Sequence, residues 1–173
     1  MKKILTFALT LALSLTVLAG CSNSGSQTSD KTPEELTQLY SDAITANGGE
    51  MVEYNPVITQ VSEDEPLSGV LLETMGLKAE DMKAFGVSGS MMNVKAYGIA
   101  AVMPAEGKEE AVTQALQGYI DQQQQSFETY LADQYEVAKN ARLETLEDGT
   151  VLMVMCEDQD TIFDAISADI LGK

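Results

Sequence analysis

The stretch from Asn93 to Met103 constrains this chain more than any other, because it is apolar on both sides. Val94, Ala96, Ala100 and Val102 fall on one side of an extended backbone; Tyr97, Ile99, Ala101 and Met103 fall on the other. A strand with one wet face alternates apolar and polar residues. This one does not, so it reads as a central strand. Gly98 inside it marks a bulge or a close approach by another element.

The period then changes. After Pro104, the residues Val112, Leu116, Tyr119, Phe127, Tyr130 and Leu131 share one stripe across residues 109–135. That stripe predicts a single helix long enough to cross a whole sheet, interrupted only by Gln123. "ARLETLEDGTVLMVM" supplies two strands joined by Asp148-Gly149, a strong hairpin signal. Ile162, Ile166 and Ile170, with Phe163 beside them, predict a closing helix.

Upstream, Thr32, Pro33 and Glu35 form a capping box with proline at the first helical position. Leu36, Leu39, Tyr40 and Ala43 mark the buried face of that helix, and Asn47-Gly48-Gly49 ends it. Residues 50–90 are less patterned. Pro56 makes 53–61 an edge strand or an extended loop. "PLSGVLLETMGL" and "KAEDMKAFG" read as two short helical pieces broken at Gly76, followed by a loop through Ser88-Gly89-Ser90. The sum is an α+β fold: a small, mainly antiparallel sheet of about three strands, covered on one face by helices that include the long one. The long helix allows the first strand and the first hairpin strand to run parallel. The last strand then lies between them, as in a split βαβ unit.

The chain opens with Met1-Lys2-Lys3, an uncharged apolar run from Ile4 to Val17, and Leu18-Ala19-Gly20 before Cys21. The order of basic, apolar and small residues predicts a signal peptide over residues 1–20. Leu-Ala-Gly-Cys resembles the bacterial lipobox, in which the cysteine sulfur takes up acyl chains such as palmitate and becomes the new N-terminus. Residues 21–31 are then the lipidated Cys21 and a flexible polar linker, and 32–173 one α+β domain. Acylation of Cys21 leaves Cys156, inside an apolar run, as a buried free thiol. The expected location is the cell membrane, with the domain lipid-anchored on the extracytoplasmic side.

Loss of Lys2 and Lys3 takes the formal charge from −17 to −19. Such acidity disfavours nucleic acid, whose phosphates need Lys and Arg, and repels anionic headgroups, so the membrane contact is expected through the lipid alone.

Chemistry is thinly represented. The chain has no histidine, which excludes Ser-His-Asp and Cys-His arrangements and His-containing zinc sites. "GVSGS" at 86–90 has Ser90 where a nucleophile elbow needs its second glycine. No glycine-rich phosphate cradle is present, so no cofactor is expected. Glu63-Asp64-Glu65 and the Glu157, Asp158, Asp160 cluster could gather a hard cation, but neither has the EF-hand pattern. The second cluster also suits the first turn of the last helix as caps. Met91, Met92, Met103, Met153, Met155 and Cys156 offer soft ligands for copper, with core packing as the plainer role. No catalytic and no metal residue is assigned. Gln122, Gln123, Gln124, Gln125 and Tyr135 place amides and a phenol together, an interaction surface for a sugar, peptide or envelope protein, with a solvated glutamine face, Phe127 and Tyr130 in the core and Tyr135 pinning the following turn as the plainer role.

Residues 91–116 and 122–158 together resemble the bacterial lipoprotein family of domain of unknown function 4358. The resemblance extends over roughly residues 33–170. It rests on the lipobox leader, a turn near "MGLKAEDM" that lacks the expected first aromatic, and Phe127, Tyr130, Gln134, Tyr135 and Glu136. It implies a lipoprotein without an assigned activity. The expected function is accordingly a membrane-anchored, non-catalytic binding or interaction module of the cell envelope. The competing expectation is an extracytoplasmic hydrolase using two carboxylates.

Overall fold

The computed structural model describes residues 31–62 and 66–173, with Pro66 by its backbone alone. The expected leader, Cys21, the linker through Asp30 and Glu63-Asp64-Glu65 lie outside the described residues. Helix α1 (Pro33–Asn47) starts with the capping box read from sequence: Glu35 N donates to Thr32 Oγ1 at 3.2 Å and Thr32 N donates to Glu35 Oε2 at 2.8 Å. Two short helices follow, α2 (Glu50–Tyr54) and α3 (Pro66–Thr74). Strands β1 (Met82–Gly89) and β2 (Gly98–Pro104) form a hairpin. Helices α4 (Glu109–Phe127) and α5 (Ala132–Lys139) lead to the hairpin of β3 (Arg142–Thr145) and β4 (Val151–Met155), and α6 (Gln159–Leu171) closes the fold.

The class is α+β, and the sheet is antiparallel with strand order β1-β2-β4-β3. Since β4 is antiparallel to both β2 and β3, these two run parallel with β4 between them, the expected split arrangement. The sheet has four strands where about three were expected. The extra one is β1, which runs through residues read as a helical piece and a loop.

Helices cover both faces, not one. Ala100, Val102, Val151, Met153 and Met155 pack with Leu116, Tyr119 and Phe127 of α4. Ile99, Ala101, Leu152 and Val154 pack with Leu36, Tyr40 and Ile44 of α1 and Phe163, Ile166 and Ile170 of α6. The cause is the two-sided strand itself: β2 and β4 carry apolar groups on both sides, and each side is stable only under a lid.

The predicted single helix over 109–135 breaks at residues 128–131. A straight helix of that length would run about 40 Å, against about 23 Å for the seven-residue β2. The chain therefore turns, and α5 folds back along α4. The break turns Tyr130 outward, 52 % exposed, although its stripe position predicted a core residue; Phe127 is fully buried. Of residues 53–61, read as an edge strand or extended loop, Glu53 and Tyr54 belong to α2, and past Pro56 the chain makes an isolated bridge, Ile58 to Val87.

Candidate functional site

The eight-residue segment between β1 and β2, Ser90–Tyr97, is held by side chains that reach up from the α4–α5 layer. Tyr130 Oη donates to Asn93 O at 2.6 Å, Ala96 N donates to Gln134 Oε1 at 2.9 Å, and Tyr119 Oη donates to Tyr97 O at 3.2 Å. Ser90 Oγ accepts from Met92 N, and Val94 N donates to Met92 O. Gln134 is itself buried and donates to Asp133 Oδ2, which holds the Asp133 carboxyl below its usual range. The backbone is thus fixed from several sides, while Met91, Met92 and Val94 are 48 %, 65 % and 57 % exposed.

Where the segment joins the sheet its chemistry is closed. Tyr97 is buried, with its hydroxyl 2.8 Å from Ser88 Oγ, and Ser88 Oγ donates to Asn55 O at 2.6 Å. Burial raises the Tyr97 phenol to about 12. Ser88, from the "GVSGS" stretch, is a buried strand residue whose hydroxyl is taken up by Asn55 O and Tyr97 Oη. Gly98 makes the close approach expected of it: a Cβ there would sit 2.9 Å from Tyr119 Cε1.

Two hollows flank the segment. A shallow one of about 250 Å³ is bounded by Met91, Met92 and Asn93 on one side and Gln122 and Gln123 on the other. The larger, about 490 Å³, is bounded by Lys95, Tyr97, Gln134, Glu50 and the strand β4 end at Cys156, Glu157 and Asp158. Cys156 is 5 % exposed, and burial, with Asp158 and Glu157 adding, pushes its thiol up to about 12. A thiol so placed stays protonated at neutral pH and is a poor nucleophile. Glu157 pairs with Lys95 at 3.0 Å. Asp160 lies in the first turn of α6, where an acidic residue suits the helix dipole, and 3.6 Å from Arg142; Asp158 stands left-handed at the N-cap without a side-chain cap bond.

The structure divides the other candidates. Met153 and Met155 face α4, Met103 and Cys156 belong to the opposite layer, and Met91 and Met92 face solvent, so the soft ligands do not converge. Among the described residues, no group of three or more Cys, Asp or Glu is placed to hold a metal ion. Gln122 and Gln123 border the β1–β2 segment, but Tyr135 is half-buried against the core, with Lys139 over its ring at 5.9 Å. No hydrogen bond among the described residues joins Tyr135 to Gln122, Gln123, Gln124 or Gln125. Sequence reasoning missed the segment itself. Its second half was read as the start of the central strand, with Val94 on an apolar side; β2 begins only at Gly98, and Val94 is 57 % exposed.

A family model, Domain of unknown function (DUF4358), matches residues 68–156, just over half of the chain. The chain belongs to the DUF4358 family. The matched part runs from α3 through β4 and so contains the whole sheet and the pinned segment; α1 and α6 lie beyond it. It is narrower than the span of roughly 33–170 over which the sequence resembles that family. No curated protein and no solved structure matches the chain. Within the DUF4358 span, Phe127 fills the core while Tyr130 and Gln134 fasten the β1–β2 segment, which gives those pattern residues a structural task.

Proposed function

We propose that this DUF4358 protein is an extracytoplasmic lipoprotein, anchored in the cell membrane through acylated Cys21, whose folded part is a non-catalytic binding or interaction module of the envelope. One observation carries the binding part: three apolar side chains stand exposed on a segment whose backbone is fastened by Tyr130, Gln134 and Tyr119. Exposed apolar groups on a fixed backbone are what a partner can cover without first ordering that backbone. The raised thiol of Cys156 and the paired state of Glu157 weigh against chemistry in the larger hollow. The anchor rests on the sequence order from Met1 to Cys21, and it would keep even a weak partner in the same envelope at high effective concentration.

The carboxylates of Glu50, Glu157 and Asp158 around one hollow favour a second reading, hydrolysis between paired carboxylates. Fractionation of cells carrying the native chain or Cys21→Ser tests the anchor. The native chain is expected in the membrane fraction with the mass of an acylated, processed protein, and the variant is expected released or unprocessed. A variant that stays membrane-bound at unchanged mass contradicts the anchor. Turnover of a cell-wall sugar or peptide that vanishes in Glu50→Gln, Glu157→Gln would establish the hydrolase instead.

A further inference from the structure

We infer that the β1–β2 segment is a docking surface for a basic, partly apolar stretch of another protein chain, an inference that rests on the binding-module reading and gives its partner a chemistry. Met91, Met92 and Val94 are all about half exposed or more on one short segment, Met91 and Met92 border the same hollow, and Tyr130, itself 52 % exposed, is bonded to that segment at Asn93. Methionine adapts its shape to what it meets, which suits a surface that accepts side chains and not a fixed small molecule. The hydrogen bonds to Asn93, Ala96 and Tyr97 hold the backbone before any partner arrives.

Charge selects the occupant. The chain carries −17, so a second copy would bring the same charge to the contact, and an anionic lipid surface is repelled likewise. The hollow that continues from Lys95 is bounded by the carboxylates of Glu50, Glu157 and Asp158 against the single ammonium of Lys95, which Glu157 already neutralises. A partner whose apolar side chains are flanked by Lys or Arg matches the net charge of the chain and the carboxylates of the hollow that the other end of the same segment, Lys95–Tyr97, borders.

The test uses the full-length protein as isolated from cells and short peptides of alternating Leu and Lys, Leu and Glu, or Ser and Lys. The Leu/Lys peptide is expected to bind, more weakly at higher salt, and the other two to bind far less. In the double variant Met92→Ser, Val94→Ser the Leu/Lys affinity is expected to fall about tenfold or more. Both positions are exposed, so an unchanged melting temperature shows that the loss is local. Equal binding of the Ser/Lys peptide, or of the Leu/Lys peptide to the variant, overturns the docking surface while leaving a binding module intact. Absence of binding by all three peptides overturns the basic apolar partner, whereas the module itself falls only to cell-wall turnover.

Discussion

A cysteine can be a nucleophile, half of a disulfide or a small apolar filler, and its neighbours decide which. Cys156 follows β4 directly with 5 % exposure, and burial together with Asp158 and Glu157 raises its thiol to about 12. Alkylation of the native protein is therefore expected to stay slow across pH 7–10, and to become fast on unfolding. Rapid native labelling at neutral pH would contradict the buried thiol. The same shift has a stability consequence. Cys156, Tyr97, Tyr40 and Tyr119 all have folded pKa values raised by burial. Above about pH 9, first the thiol and then the phenols lose protons in the unfolded chain while the folded chain keeps them. The unfolded state then binds fewer protons, so stability is expected to be whole below that pH and to decline as pH rises through 9–12. Denaturant melts at stepped pH check the sign. The sequence revealed Cys156 as buried, because its neighbours are apolar without a break. It misplaced Tyr130, whose hydroxyl needed a polar partner and found Asn93 at the surface.

At the scale of elements, α1, the β3–β4 hairpin, α6 and β2 from Gly98 on could be read from periodicity, caps and Asp148-Gly149, because each has a local signal stronger than its surroundings; residues 93–97, read as the start of β2, lie in the segment before it. Strand β1 could not be read so. Its Gly86 and Gly89 look like loop residues, yet they are there because neighbours press close: a Cβ on Gly86 would sit 3.0 Å from Tyr40 Cβ and 3.3 Å from the Tyr40 carbonyl carbon. Helix α1 can approach β1 only across that missing side chain. Gly86→Ala is accordingly expected to cost about 1–3 kcal/mol in a denaturant melt. Gly118, exposed inside α4 with nothing within 4 Å of a built Cβ, makes the contrast: Gly118→Ala is expected to add up to about 1 kcal/mol. Equal effects of the two substitutions would contradict the close packing of α1 on β1. The register shift between Met82 and Ala84 further hid β1, since it lets Met82 pack on the α4 side while Ala84 faces α1.

For the whole molecule, the two-sided strand determines more than a one-faced expectation allowed for. Once Ile99, Ala101, Leu152 and Val154 point away from α4, something must cover them, and α1 and α6 do. Those helices lie outside the family-matched residues 68–156. A chain cut to that span is therefore expected to expose an apolar sheet face, bind a hydrophobic dye and fail to melt cooperatively; a cooperative, dye-free fragment would contradict the two-layer core. Function was less readable than fold. The proposed surface depends on which side chains the α4–α5 break brings to residues 90–97, and no periodicity encodes that.

The central claim, that an anchored module binds through this pinned segment, is tested most directly by photo-crosslinking in cells. The crosslinker is placed at Val94 and, as control, at the exposed Gln114 of α4. A discrete adduct from position 94 is expected, absent from position 114 and lost when Cys21→Ser removes the anchor. No adduct from 94, or equal adducts from both positions, would contradict the account.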